Sequence, residues 1–320
     1  MTIKLLYFFL FLGACNSDPA DITVQVEFPV DTGTNTTSGT NVTQTNSAAV
    51  RGDFIDIAAG ANHTCGITNK GNVSLICWGD NSESPWEEEF VDMALGQGHT
   101  CGLTSSGEAI CWGDNTSGQA SPPLGETFSS LTAGYAYSCG INSTSEIRCW
   151  GGDGFGTISL APTGTYVQLD GGAYHVCAIS TEGATRCWGY GDYGQTNPST
   201  ITMTTTASGY FHSCGLSDSD EAYCWGYNDA SQLDAPSGAF KMIDAGYRHT
   251  CGVTSANTIA CWGDNGYGQS TPPISPFDEV YVKVTTGDYH TCALTSTDHV
   301  VCWGSNNYGQ ISVPSSLDDD

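Results

Sequence analysis

HTCGLTSSGEAICWGDN, residues 99–115, is the stretch from which the fold can be read. Cys101 and Cys111 stand ten residues apart around a small polar turn, Ser105-Ser106-Gly107. The flanks are short, apolar in part and bounded by turn residues, as strands are. A three-residue turn sets Thr104 opposite Glu108, and counting outward brings Cys101 opposite Cys111. Directly opposed residues of an antiparallel pair have Cα atoms about 4.5–5.5 Å apart, within disulfide range. The stretch therefore reads as a hairpin closed by its own disulfide.

The pattern occurs seven times. Each copy opens on a large apolar residue and reaches a glycine six positions later: 54–60, 90–96, 128–134, 166–172, 203–209, 240–246 and 281–287. Five residues after the glycine comes Cys65, Cys101, Cys139, Cys177, Cys214, Cys251 or Cys292. Ten residues later, twelve in the first copy, a CWG supplies Cys77, Cys111, Cys149, Cys187, Cys224, Cys261 or Cys302. The period is 36 to 41 residues, with three strands and room for a weaker fourth. That is the size of one propeller blade, and closing a ring removes the open sheet edges. The fold class is all-β: a single seven-bladed β-propeller over residues 51–320, with one intra-blade disulfide per blade. The tryptophan of each CWG points away from the disulfide and belongs to the core between blades.

Metal is the rival reading of the cysteines. His63, His99, His175, His212, His249 and His290 each stand two residues before a cysteine. One hairpin would offer only His and two Cys, short of a closed zinc site. Tyr137 replaces the histidine in the third copy, so no obligatory ligand is expected there. Disulfides are preferred, and no metal or cofactor is expected. Calcium at GDNTSG or GDNGYG lacks the bidentate glutamate expected of such a loop.

Fifteen cysteines leave one outside the seven pairs, Cys15. It follows a single positive charge, Lys4, and an apolar run from Leu5 to Leu12, too short to span a bilayer. Residues 1–14 read as a signal peptide. LGAC, ending at Cys15, resembles the bacterial lipobox. The resemblance implies that Cys15 carries lipid and that the protein is anchored to a bacterial cell envelope. Asn16 favours the outer membrane or cell surface, since the retention signal given by Asp is missing. Residues 15–50 read as a flexible tether, with one strand-like segment, Asp21–Phe28.

The chain carries 34 acidic against 8 basic residues, a net charge of −26. Such a surface repels phosphate backbones, so nucleic acid is not expected as a partner. No Ser-His-Asp order, phosphate loop or paired carboxylate stands out, and an enzyme is not expected.

GQGHTCGLTSSGEAICWGDNTSGQ, residues 96–119, is similar to the repeat of the regulator of chromosome condensation superfamily. The shared features are a glycine, a histidine, a short hairpin, WG, N and GQ. GQ recurs at Gly118-Gln119, Gly194-Gln195, Gly268-Gln269 and Gly309-Gln310, becomes Ser231-Gln232, and is missing from the first and third copies. The resemblance implies a seven-bladed propeller. Nuclear members act as nucleotide-exchange factors on chromatin, a role at odds with an exported acidic chain. Secreted bacterial members include propeller-type β-lactamase inhibitor proteins that bind their target with one face. The resemblance to them implies a protein-binding module, most simply a monomer.

Strand order puts the turn after the first strand and the turn after the third on one rim. Those turns carry Tyr135, Tyr174, Tyr190, Tyr193, Tyr210, Tyr227, Tyr247, Tyr267, Tyr289 and Tyr308, with Phe155, Phe211 and the acidic Asp114, Asp153, Asp192, Asp229, Asp264 and Asp288. A rim rich in Tyr, Asp, Asn and Gly has the composition of a binding surface. The expected function is recognition of a protein partner through this rim. A carbohydrate-binding propeller and a structural envelope spacer are the alternatives, a glycan being the partner in the first.

Overall fold

The computed structural model describes residues 50–51, 53–69, 75–80, 88–273 and 279–314. Cys15, the tether and Asp21–Phe28 lie outside them. Each copy forms one antiparallel sheet of inner, middle and outer strands, and there are seven such sheets. In the second blade the strands are Phe90–Leu95, His99–Thr104 and Ala109–Gly113. Cys101 pairs in register with Cys111, Thr100 with Trp112 and His99 with Gly113. Thr104 N–H donates to Glu108 O, so Cys101 and Cys111 occupy a site where the strands exchange no backbone hydrogen bonds and approach most closely. All seven expected pairs are bonded, with Cα atoms 4.0–4.1 Å apart.

Each disulfide loop is short, and in the chain-entropy account it stabilises by about 2–3 kcal/mol. Replacing Cys101 and Cys111 together by serine should lower the urea midpoint accordingly and leave the sheet signal in circular dichroism unchanged. A loss of all β structure would show that the bond is needed for folding itself.

The disulfides also pack the blades together. Cys101 of the second blade lies in one buried cluster with Phe128 and Trp150 of the third, and Cys292 of the seventh with Phe54 and Trp78 of the first. The other junctions repeat this arrangement with Phe, Tyr or Met at the head of the inner strand. One face of a blade presents the disulfide, and the other presents a ring and an indole.

Glycine closes the ring at the channel. A Cβ on Gly60 would lie 2.5 Å from Gly96 O, on Gly172 2.1 Å from Gly209 O, and on Gly287 2.4 Å from Gly60 O. The intervening glycines 96, 134, 209 and 246 repeat the approach at 2.2–2.5 Å. These seven residues thus meet head to tail around the axis, where no side chain fits.

Two features depart from the plain strand reading. Every inner strand carries a bulge after its first residue, as between Phe90 and Asp92. The bulged residue turns outward (Ile55, Val91, Val167 and Val282 are exposed) while positions one and four are buried. The weaker fourth strand is absent from six blades among the described residues. The seventh has one, and it comes from the other end of the chain: Val50–Arg51 pairs with Val300 and His299. It begins one residue inside the segment read as tether. Elsewhere the loop after the outer strand uses its own side chains. Asn115 Oδ1 accepts from Ala120 N–H, Gln119 Oε1 accepts from Ser117 N–H, and Gln119 Nε2 donates to Asp114 Oδ2.

Candidate functional site

Hydrogen bonds fix which turns share a rim. The residue after each CWG donates its backbone N–H to the turn between inner and middle strands of the same blade. Asp114 donates to Gly98 O, Tyr190 to Tyr174 O, Tyr227 to Phe211 O and Ser305 to Tyr289 O, at 2.7–2.9 Å. The hairpin turns between middle and outer strands lie at the opposite rim. There Gly107 O accepts from Phe128 N–H, at the start of the next inner strand.

On the first rim the rings form one connected arc. Tyr135 meets Tyr174 with centroids 5.2 Å apart, Tyr174 meets Tyr210 at 5.1 Å, Tyr210 meets Tyr247 at 4.4 Å, and Tyr247 meets Tyr289 at 5.2 Å. Tyr267 joins through Tyr289 at 5.1 Å. Phe155 links Tyr174 to Tyr190, and Phe211 links Tyr210 to Tyr193, which reaches Tyr227 at 4.7 Å. The hydroxyls of Tyr174 and Tyr210 are 2.9 Å apart. Nine of the ten expected tyrosines are thus brought together with Phe155 and Phe211, across blades three to seven. Tyr308 makes no ring contact among the described residues and stands 55% exposed. The first two blades place Ala61, Asn62, Gln97 and Gly98 in the corresponding turns, so the arc is one-sided. Tyr135, Tyr193 and Tyr267 are 40–51% exposed. Burial and the neighbouring Asp192 carboxylate push the Tyr190 hydroxyl up to about 12, so it is neutral.

The histidines are not part of this surface. Six of them are wholly buried, and each Nε2 bonds a hydroxyl of the following blade at 2.7–3.0 Å: His63 to Thr100, His99 to Ser138, His175 to Ser213, His212 to Thr250, His249 to Thr291 and His290 to Thr64. The Thr64, Ser138, Ser213 and Thr291 hydroxyls donate onward to glutamine backbone carbonyls, so their oxygens accept and His290, His99, His175 and His249 carry the proton on Nε2. Nδ1 of each ring has no hydrogen-bond partner among the described residues. Burial lowers His63 and His99 to about 4, and His175, His212, His249 and His290 to about 3. Tyr137 explains its own exception. The following blade offers Val176 in place of a hydroxyl, and Tyr137 donates instead to Gly172 O and His175 O, each at 2.7 Å. The GQ motif serves the same joint, since the carbonyls of Gln119, Gln195, Gln232, Gln269 and Gln310 accept indole N–H bonds at 2.8–2.9 Å.

Carboxylates fall into two groups. Asp114, Asp153, Asp229 and Asp264, expected to accompany the rim, are engaged locally with backbone N–H groups, glutamine amides or Arg248. Asp170, Asp244 and Asp288 instead line a central cavity of about 210 Å³. Asp170 accepts from Ser208 N–H, and Asp244 accepts from Thr286 N–H at 2.6 Å, each joining two blades. Burial pushes Asp170 and Asp288 up to about 7 and raises Asp244 as well. The sequence reading passed over Asp170 and Asp244. Their signal is a charged residue at the position two before the ring glycine, where three other copies have alanine.

Comparison with known families matches six copies, residues 54–84, 90–119, 166–195, 204–232, 241–269 and 281–310, to the Regulator of chromosome condensation (RCC1) repeat. The chain belongs to the RCC1 repeat family. The six matches cover over half of it. The third copy is not matched, having Tyr137 for the histidine and Thr157 for the glutamine. It still folds as an RCC1 blade, with Thr157 O accepting from Trp188 Nε1 at 2.8 Å. Among solved structures, the fold is similar to the ectodomain of the Arabidopsis thaliana receptor kinase ACR4, with TM-score 0.67 and 22% identity over 84% of this chain and 99% of that one. It is similar to the ectodomain of the Physcomitrella patens receptor kinase CR4, with TM-score 0.66 and 24% identity over 78% and 72%. It is also similar to Prp20p of Saccharomyces cerevisiae, with TM-score 0.63 and 15% identity over 81% and 84%. A comparison with curated proteins finds no match.

Proposed function

We propose that this RCC1-repeat propeller is a protein-recognition module of a bacterial cell envelope, which binds a partner through its tyrosine-rich rim. The observation that carries the reading is the connected arc of rings on one rim, facing solvent at Tyr135, Tyr193 and Tyr267. Tyrosine supplies contact area with few rotors to immobilise and keeps a polar tip, which suits a protein interface. Prp20p is described with binding to Gsp1p and histones, so the same fold serves protein binding elsewhere. The envelope part of the proposal rests on residues 1–15, with Cys15 as the lipid attachment point. Catalysis forms no part of it.

The test is a photo-crosslinking residue at position 308 in the full chain, expressed in an envelope-bearing bacterial host. One protein should crosslink at stoichiometric yield. The same chain with Tyr135, Tyr193 and Tyr267 changed to serine and the crosslinker kept at 308 should retain the β signal and lose that product by at least ten-fold. Binding to a glycan array that is lost with the same substitutions would favour the carbohydrate alternative. An undiminished crosslink in the variant would overturn the rim reading.

A further inference from the structure

Asp288 is set apart from the other carboxylates of this rim. It follows the ring glycine Gly287, and its backbone N–H donates to Ala61 O across the junction between the last and first blades. No hydrogen bond or ion pair reaches its carboxylate among the described residues, and burial is the sole influence on its charge. It lines the central cavity at the end where Tyr135 and Tyr210 also line it. Its charge is felt by Tyr174, Tyr210, Tyr247 and Tyr289, all members of the ring arc. Asp170 and Asp244 line the same cavity three residues deeper along the inner strands, a depth of about 10 Å. A half-buried carboxylate without a partner in the protein is open to a cation brought by a ligand. The faces of surrounding tyrosines attract cations, and best a soft organic one. No group of three or more His, Cys, Asp or Glu suited to a metal ion occurs among the described residues.

We infer that the mouth of the channel is a receptor for a basic side chain, a lysine or arginine that the partner protein inserts between Asp288 and the flanking tyrosines. This rests on the rim reading and adds the chemistry of the contact. The ammonium or guanidinium group would bond the free Asp288 carboxylate, and its stem would lie against Tyr210 and Tyr247. The overall charge of −26 would draw such a partner in from a distance.

The experiment uses the full chain and three twelve-residue Gly/Ser peptides, carrying one central lysine, arginine or Nε-acetyl-lysine, titrated by NMR. The lysine and arginine peptides should saturate the protein, and acetylation should weaken binding at least ten-fold. Asp288→Asn should weaken the lysine peptide by about ten-fold. Asp218→Asn, which removes the same charge from an exposed hairpin turn of the opposite rim, should change it less than two-fold. No saturable binding, equal binding of the acetylated peptide, or equal effects of the two substitutions would each overturn the inference. Asp288→Asn removes an unpaired carboxylate, so it should fold at least as stably as the parent. The partner crosslink at position 308 separates the two readings. If it survives Asp288→Asn at full yield but is lost with the tyrosine substitutions, the basic-side-chain inference fails and the rim reading stands. If it survives both, the rim reading fails.

Discussion

Gly172→Ala is expected to destabilise the protein by about 3 kcal/mol, at the upper end of what overpacking costs. The new methyl group would sit 2.1 Å from Gly209 O and 2.7 Å from His175 Cε1. The first obstacle is backbone, and it belongs to the next blade. That blade is held in turn by the next ring glycine, so relief requires a whole blade to tilt outward. The movement would also stretch the His175–Ser213 bond, now 2.7 Å. Urea unfolding should show a lower midpoint with an unchanged slope. Gly154→Ala is the control, because a Cβ there meets nothing within 4 Å, and it should stay within about 0.5 kcal/mol of the parent. Equal midpoints for the two variants would mean that the ring is loose enough to accept a methyl group.

Acid should unfold the propeller well above the range where carboxylates alone titrate. Six histidines are neutral in the fold down to about pH 4 or 3, while in the unfolded chain they protonate near 6.5. Their folded values are depressed, so the unfolded state binds more protons between those limits. The stability they secure is complete above pH 6.5 and is lost as pH falls toward 4. Asp170 and Asp288 act in the opposite sense. They hold protons in the fold up to about 7 and release them near 4 when unfolded, so two of the six protons are offset. Asp244 and Asp92, both raised by burial, offset part of the remainder. The balance at pH 5 is an uptake of about two to four protons on unfolding, or roughly 3–5 kcal/mol of stability per pH unit. Urea midpoints measured between pH 7 and pH 4.5 should fall steeply. Constant or rising midpoints would show that the rings are charged or solvated in the native state.

Much of this architecture was legible in the sequence because its determinants are local. Cys101 and Cys111 stand symmetrically about a three-residue turn, so their register follows from counting, and seven repetitions leave little freedom. The bulge was less plain, although its trace is there. Phe90 and Met93 are both buried yet three positions apart, which a regular strand with period two does not allow. The closing strand Val50–Arg51 has no local signal at all, because its partner Val300 lies at the far end of the chain. At the rim, counting placed the tyrosines on the correct turns. It gave no means of separating Asp288, whose carboxylate has no partner among the described residues, from Asp114, whose side chain is bonded to Thr116 and Gln119. That distinction depends on where neighbouring blades bring their backbone, which no single repeat records.

The histidine and tyrosine bonds between blades all point the same way. His63 reaches forward to Thr100, Tyr137 to His175 O, and His290 of the last blade to Thr64 of the first. The molecule is thus a directed circuit, unlike an open stack of repeats, and it has no end blade in need of a polar cap. At the joint where the ring closes, the last blade meets the first through the same indole, hydroxyl and glycine contacts as any other pair, with Val50–Arg51 as an added strand. The position of the chain break around the circle is therefore incidental to the design. A circular permutant opened in another loop and joined across residues 50 and 314 would present the same seven complementary faces, in the same sense of rotation.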